Sequence, residues 1–216
     1  MARQATAPAV ALRGGPWPAV KRAIDGLGAA VVLLLLAPVL ALVAVAVLLD
    51  SGRPILFRQT RLGRRLEEFT VLKFRTMKAD ATSDAHRDYI ARLAAGNAEE
   101  ELKKLTADPR VTRVGRVLRR LSLDELPQLF NVLRGEMSLV GPRPALEYEL
   151  EHYEDRHFER FAVRPGMTGL WQVSGRNRLG FNEMLDLDVE YARTTGPLLD
   201  LKILVKTPVA AVSGAA

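Results

Sequence analysis

Two adjacent carboxylates, Asp124 and Glu125, follow an arginine-rich stretch of the chain. An ionised carboxylate beside phosphate-binding arginines can attack a phosphorus atom or hold Mg²⁺. The same residues also fit a helix start, in which Ser122 or Asp124 caps a helix that contains Pro127. In either arrangement Asp124 lies at a helix N-terminus, where the helix dipole and nearby arginines favour its ionised form. Spacing alone therefore leaves capping and catalysis both open.

Cations elsewhere in the sequence could hold the phosphate groups of a substrate. Arg143 stands between Pro142 and Pro144, which fix the backbone on both sides of it, although an exposed turn has the same pattern. Lys73 and Arg75 follow a strand-like run and are expected to point to one face of it.

A glycine-punctuated segment near the C-terminal third contains two more arginines, Arg164 and Arg176, together with Trp171. It could hold a nucleotide through backbone amides, arginine and aromatic contact. It could equally form a hairpin with a core tryptophan.

Composition excludes several classes of protein. The 216 residues include no cysteine, which excludes a disulfide scaffold, a cysteine zinc site and a thiol nucleophile. No Walker-type loop, GxGxxG or GxSxG motif is present, and the three histidines lack metal-ligand spacing. The net charge of +6, from 31 basic and 25 acidic residues, leaves phosphorylated small molecules, nucleic acid and anionic lipid as candidate partners.

An uncharged apolar run covers the 24 residues from Gly26 to Leu49. As a straight helix it would be roughly 36 Å long, enough to cross a hydrocarbon core. Pro38 near its middle removes a backbone donor, and basic residues flank the run on both sides. A helix that breaks at Pro38 and returns to the cytoplasmic face accounts for these charges. A proline-kinked spanning helix is the alternative.

The remaining chain predicts a small domain of the α+β class, mainly α. We expect a flexible tail over residues 1–20, a membrane helix over 21–50, a catalytic domain over 51–208 and a tail over 209–216. Short strands are predicted at 55–57 and 69–72, and helices at 110–121 and 125–134. The helix at 110–121 places arginines beside an apolar stripe, which suits a lipid headgroup layer or a solvated surface.

The order of its motifs makes the sequence resemble the bacterial monotopic phosphoglycosyl transferases, also called bacterial sugar transferases. The resemblance runs from Lys21 to Thr207 and rests on these motifs: Lys21-Arg22-x-x-Asp25, Phe57-Arg58-Gln59-x-Arg61-x-Gly63, Lys73-Phe74-Arg75-Thr76-Met77, Asp108-Pro109-Arg110-Val111-Thr112-x-x-Gly115, Arg119-x-x-Ser122-Leu123-Asp124-Glu125-Leu126-Pro127-Gln128, Ser138-Leu139-Val140-Gly141-Pro142-Arg143-Pro144, Arg164-Pro165-Gly166-x-Thr168-Gly169 and Asp200-Leu201-Lys202-Ile203.

The resemblance implies a reaction at the cytoplasmic face of the bacterial inner membrane. A sugar 1-phosphate would pass from a UDP-sugar to polyprenyl phosphate, usually undecaprenyl phosphate, in the first membrane step of exopolysaccharide, O-antigen or glycoprotein glycan assembly. Asp124 matches the family's nucleophile and Glu125 its partner, and Mg²⁺ is implied, with Asp124 as its ligand here. Lys73, Arg119 and Arg143 match phosphate-site positions.

The resemblance also implies a re-entrant helix and interfacial amphipathic helices, although Ala37 stands where the family often has serine before the proline. Expected partners are the UDP-sugar, polyprenyl phosphate and inner-membrane lipids, with a homodimer left open and no nucleic acid. A membrane-anchored basic nucleic-acid binder or scaffold is the alternative, but it gives Asp124, Glu125 and Arg143 no role.

Overall fold

The computed structural model describes residues 16–78, 84–94, 109–175 and 179–213. The described parts are mainly helical, with two small two-stranded sheets, as predicted for the class. The helices are α1 (Trp17–Ser51), α2 (Asp84–Ala94), α3 (Arg113–Arg120), α4 (Gln128–Arg134), α5 (Leu170–Ser174), α6 (Phe181–Thr194) and α7 (Pro197–Ser213). The strands are β1 (Leu56–Leu62), β2 (Glu68–Phe74), β3 (Ser138–Val140) and β4 (Gly166–Thr168). Short 3₁₀ helices lie at Arg64–Leu66, Leu123–Glu125, Glu147–His152 and Asp155–Ala162.

Strands β1 and β2 form an antiparallel hairpin in which Leu56 pairs with Phe74 and Leu62 with Glu68. Both strands are longer than the predicted extended pieces, because their polar residues, such as Arg58, Gln59 and Lys73, interrupt the apolar pattern. Strands β3 and β4 pair in parallel, and Val140 lies opposite Thr168. The chain leaves β3 directly into the Gly141–Pro144 segment, so this small sheet sets the position of Arg143.

Helix α1 is the long apolar helix that the sequence predicts, with a mean hydropathy of 3.2 over its most apolar window. Its length and composition suffice to cross a membrane. The helix begins at Trp17, before the predicted start at residue 21, and includes Pro38. The re-entrant bend therefore stays a prediction.

Both halves of α1 pack against the rest of the fold. In the first half, Ala29 is fully buried in a cluster with Leu129 and Val132 of α4. In the second half, Val43 and Val47 contact a cluster that contains Phe74 and Leu118. The opposite face of the helix is apolar but exposed, with side chains at Leu27, Leu34, Leu35, Leu42 and Leu49. One face of α1 thus packs against the rest of the protein, and the other is an exposed apolar surface.

Polar contacts fix both ends of α1 to the same folded body. Near its start, Asp25 accepts hydrogen bonds from the Ser138 hydroxyl at 2.7 Å and the Leu139 amide at 3.2 Å. Near its end, Asp50 Oδ2 accepts from the Val114 amide at 3.0 Å. The Arg75 guanidinium donates to the carbonyls of Ser51, Gly52 and Arg53.

Helix α3 confirms the helix predicted at 110–121, and its N-cap is Thr112, whose hydroxyl accepts from the Gly115 amide at 2.9 Å. Leu118 is buried, whereas Val117 and Leu121 are exposed. Helix α7 likewise leaves an apolar face exposed, at Leu198, Leu201, Leu204, Val205 and Val209. These faces fit the predicted contact with lipid, which stays a prediction.

Gly115 is the residue at which α3 approaches the chain after β2 most closely. A Cβ atom placed there would lie 2.2 Å from the carbonyl oxygen of Thr76, a backbone atom that cannot move aside freely. We expect Gly115→Ala to lower the free energy of unfolding by about 1–3 kcal/mol, because overpacking outweighs the gain in helix propensity. Thermal and chemical denaturation of detergent-solubilised protein would measure this.

Gly196→Ala is the matched control, because a Cβ there meets only the Thr194 carbonyl at 3.7 Å. Equal stability of the two variants would contradict the close approach of α3.

Candidate active site

The two carboxylates of the candidate site lie in the 3₁₀ turn Leu123–Glu125, between α3 and α4. Ser122 reverses the chain with a φ of 54°, in the left-handed region. Leu123 packs on the cluster of Val47 and Phe74, and Leu126 packs on the cluster of Leu129. Both leucines are half-buried, and the turn between them carries the carboxylates.

The sequence suggests Ser122 or Asp124 as the N-cap of the following helix, and the structure has neither. Helix α4 begins at Gln128 with Pro127 as its N-cap residue, and neither the Ser122 nor the Pro127 position has a side-chain cap hydrogen bond. Pro127 disfavours a cap at Ser122, because its missing N–H would fall beyond the first helical turn, and the separate 3₁₀ turn at Leu123–Glu125 takes the place of a helix start at Asp124. Asp124 therefore lies before α4 in a separate turn, and capping of that helix does not explain it.

Lys73 of β2 is the direct partner of the carboxylate pair. Its ammonium group donates to Glu125 Oε1 at 2.8 Å, and both side chains are partly exposed. Strand β2 supplies Lys73 on the face opposite the buried Leu72 and Phe74. The antiparallel hairpin thus holds an amine beside the turn that carries Asp124 and Glu125.

Burial raises the pKa of the Asp124 carboxyl, and the neighbouring charge of Glu125 raises it further. Lys73 and Arg119 act in the opposite direction and lower this pKa. The net direction differs from the prediction that the ionised form is favoured, because removal of water outweighs the two cations. Binding of a substrate phosphate group together with a cation would change the pKa of Asp124 again.

Arg119 comes from the last turn of α3, where its Nε donates to Thr76 Oγ1 at 2.9 Å. This bond orients its guanidinium, and its charge acts on Asp124. Three separate elements, β2, the 3₁₀ turn and α3, therefore contribute to one group of charges.

Arg143 follows β3 on a segment that is packed closely against β4. A Cβ at Gly141 would lie 2.4 Å from the Arg164 carbonyl, so only glycine permits this approach. Burial lowers the pKa of Arg61, Arg143 lowers it further, and Glu125 acts on the same group in the opposite direction. Arg61 Nη1 donates to the Pro144 carbonyl at 2.9 Å, so Arg61 contacts the segment that carries Arg143, and it also responds to the charge of Glu125 in the carboxylate turn.

Two predicted substrate residues make structural contacts instead. The Arg75 guanidinium is buried and binds backbone carbonyls at the end of α1, so it does not share a face with Lys73. Arg164 Nε donates to the Gly135 carbonyl at 2.8 Å, at the end of α4 opposite to the carboxylate turn. Burial, together with Arg64 and Arg22, lowers the pKa of Arg164. Arg176 lies outside the described residues.

Several residues that support the site have no local signal in the sequence. Asn131 is fully buried; its Oδ1 accepts from the Leu72 amide at 3.1 Å and its Nδ2 donates to the Thr70 carbonyl at 2.7 Å. It thereby joins α4 to the middle of β2. Arg61 and Arg160 are buried beside the Arg143 segment. Arg61 belongs to a motif of the resemblance, but nothing in its spacing indicates its partner.

The described residues could bind Mg²⁺ only together with oxygen atoms supplied by the substrate. Among the residues that the structure describes, no group of three or more metal-ligating side chains occurs. Mg²⁺ commonly takes one or two carboxylates together with substrate phosphates and water. Asp124 meets that requirement.

Comparison with known proteins agrees with the resemblance. A family model described as "Bacterial sugar transferase" matches residues 17–214. "Exopolysaccharide production protein ExoY" of Rhizobium meliloti is 42% identical over 187 residues, which are 87% of this chain and 83% of that protein.

Two relatives are named for a sugar phosphate transfer. "UDP-glucose:undecaprenyl-phosphate glucose-1-phosphate transferase" of Caulobacter vibrioides is 42% identical over 209 residues, covering 90% of this chain and 72% of that protein. "Undecaprenyl-phosphate galactose phosphotransferase" of Salmonella typhimurium is 41% identical over 189 residues, covering 87% and 39%. The match over nearly the whole chain and the grouping of its motif residues in the fold show that this protein belongs to the bacterial sugar transferase family.

Proposed function

We propose that this enzyme transfers a sugar 1-phosphate from a UDP-sugar to polyprenyl phosphate and releases UMP. The observation that carries the proposal is the partly buried Asp124 carboxylate, on which the charges of Lys73 and Arg119 both act. The similar Caulobacter protein is named for UDP-glucose and the Salmonella protein for galactose, so UDP-glucose and UDP-galactose are the first donors to test.

The proposed reaction has two displacements at one phosphorus. An Asp124 oxygen attacks the sugar-bearing phosphorus of the UDP-sugar, and the bond from this phosphorus to the bridging oxygen breaks, so that UMP leaves with that oxygen. A phosphate oxygen of the polyprenyl phosphate then attacks the same phosphorus. The bond to Asp124 breaks, the carboxylate is restored, and polyprenyl-diphosphate-sugar is formed.

The cations of the site account for the stabilisation that such a displacement needs. Charge develops on the phosphoryl oxygens in the transition state, and fixed cations stabilise it without reorganisation. Lys73, Arg119 and Arg143 are the residues we propose for this role, and Glu125 holds Lys73 beside the nucleophile. Mg²⁺ held by Asp124 would neutralise further phosphate charge.

The attachment of α1 supports a re-entrant, monotopic topology. Asp25 and Asp50, near opposite ends of this helix, both bind residues of the same folded body. A helix that crossed the bilayer would place those ends in different aqueous compartments, where one polar domain cannot bind both. We therefore propose that α1 enters and leaves by the cytoplasmic face, with Pro38 at the turning point.

We expect Asp124→Asn to lower UMP release by roughly three orders of magnitude or more, as removal of a covalent nucleophile does in other enzymes. The amide is similar in size to the carboxylate, so folding and membrane attachment should be kept. Purified enzyme with polyprenyl phosphate and a panel of UDP-sugars measures the rate. Asp155→Asn, at an exposed position, is the control. Activity of Asp124→Asn close to wild type would overturn the covalent mechanism.

The pH dependence of the first displacement should report the pKa of Asp124. Only the ionised carboxylate attacks, so kcat/KM for the UDP-sugar falls as the pH drops through that pKa, which lies above the ordinary value of 3.8. Glu125→Gln removes a like charge and should move this acid limb to lower pH. Single-turnover UMP release without the lipid acceptor isolates the step. The same limb in wild type and Glu125→Gln would contradict the assignment, and Glu147→Gln, an exposed change, is the control.

The topology predicts that both sides of α1 are cytoplasmic. The chain has no cysteine, so single cysteines at the exposed positions Ala19 and Thr60 can be labelled without background. In spheroplasts, both should resist an impermeant thiol reagent until the cells are lysed. Labelling of the Ala19→Cys protein alone before lysis would show a spanning helix.

A further inference from the structure

The segment that carries Arg143 is held by an unusual set of hydrogen-bond donors. The carbonyl of Pro142 accepts from the Gly166 amide at 2.8 Å. The carbonyl of Arg143 accepts from Arg160 Nη2 at 2.5 Å. The carbonyl of Pro144 accepts from Arg61 Nη1 at 2.9 Å. Three consecutive carbonyls are thus each fixed by a donor from a different part of the chain.

These bonds remove the backbone freedom that the two prolines leave. The proline rings set φ at residues 142 and 144 but do not set the rotation of the peptide planes on either side of Arg143. A hydrogen bond to the carbonyl of Pro142 fixes the plane before Arg143, and one to its own carbonyl fixes the plane after it. Together they fix φ and ψ of Arg143, and hence the direction in which its side chain leaves the backbone.

Two of the three donors are buried guanidinium groups. Burial of a charged group costs free energy, and a neutral donor could bind the same carbonyl without that cost. Arg160 is 4% exposed and is paired with Asp188 Oδ2 at 2.5 Å, and it also donates to the Tyr153 hydroxyl. Arg61 is 6% exposed, and its Nε and Nη2 donate to Gln59 Oε1 at 3.1 and 2.8 Å.

Arg61 and Arg160 carry charges of the same sign as that of Arg143. Burial and Arg143 lower the pKa of Arg61 to about 10, so Arg61 remains charged at neutral pH. The guanidinium groups of Arg61 and Arg160 both contact the backbone of the segment that carries Arg143. Because like charges repel, Arg61 and Arg160 disfavour orientations of the Arg143 side chain that approach them.

We propose that Arg61 and Arg160 are positioning residues, which set the Arg143 guanidinium for a phosphate group of the UDP-sugar through their bonds to the Pro144 and Arg143 carbonyls. This inference rests on the proposed function, since it takes Arg143 as a ligand of substrate phosphate. It predicts that the two buried arginines act on the reaction only through Arg143.

A double-mutant cycle tests this prediction. Arg61→Lys keeps the charge but loses the planar fork that binds Pro144 and Gln59 together. We expect it to lower kcat/KM for the UDP-sugar by at least about 10-fold, since small misplacements of a binding group are costly in rate. In an Arg143→Ala background the same substitution should change kcat/KM less than about twofold. An equal loss in both backgrounds would overturn the proposal and indicate a general structural role.

Arg160→Lys is tested in the same cycle, with Arg156→Lys as its control, because Arg156 lies on the same 3₁₀ helix with an exposed side chain. Loss of the Arg160–Asp188 pair could unfold the protein, so thermal unfolding is measured for every variant. Gln59→Ala is the milder second variant: it leaves Arg61 in place but removes the acceptor of its Nε and Nη2. Its loss of kcat/KM should also disappear in the Arg143→Ala background.

Calorimetric binding of UDP separates this inference from the proposed function. If the wild type releases no UMP from any UDP-sugar, the proposed function fails. The positioning role then holds if Arg61→Lys weakens UDP binding in the wild-type background and not in the Arg143→Ala background. If Arg143→Ala binds UDP as tightly as the wild type, Arg143 holds no phosphate and the inference is overturned.

Discussion

The fold depends on a buried group of charges where the start of α1 meets β3 and α7. Lys21 Nζ donates to Asp200 Oδ2 at 2.6 Å and lies 3.6 Å from Asp25 Oδ1. Asp25 in turn binds the hydroxyl of Ser138 and the amide of Leu139. The Tyr191 hydroxyl lies 2.7 Å from the other Asp200 oxygen. Each carboxylate has a partner that offsets the cost of its burial, so removal of one member would leave an uncompensated charge.

This charged group links the membrane helix to the candidate site. Ser138 and Leu139 belong to β3, and the chain leaves β3 directly into the segment that carries Arg143. At the far end of α1, Val47 packs in the cluster that also receives Leu123, the residue before Asp124. Movement of α1 relative to the domain would therefore displace both Arg143 and Asp124. The position of α1 and the geometry of the candidate site are therefore coupled.

The candidate site contains charged side chains from elements that are distant from one another in the sequence. Lys73, Arg119 and Arg143 come from a strand, a helix and a loop, and no two of them are neighbours in the sequence. Their repulsion is tolerated because each carrier element is fixed by its own packing and hydrogen bonds, such as the Asn131 bonds that join α4 to β2. Packing of the apolar clusters thus stabilises a fold in which these cations stay in place without a bound anion. A substrate with several negative charges would neutralise them.

Local patterns in the sequence predicted the apolar helix, short extended pieces that overlap β1 and β2, helix α3 and the Asp124–Glu125 pair, because hydrophobic periodicity and residue chemistry are visible over a few neighbouring residues. The same patterns suggested Arg75 and Arg164 as substrate residues and left a cap or a catalytic role open for Asp124. Tertiary structure decided their contacts, since a guanidinium binds whichever carbonyl the fold brings within reach, and for Arg75 that is the end of α1. The raised pKa of Asp124 depends on burial and on charges from distant segments, which only the folded chain brings together. The contacts of Arg61 and Arg160 with the segment that carries Arg143 likewise form only in the folded chain.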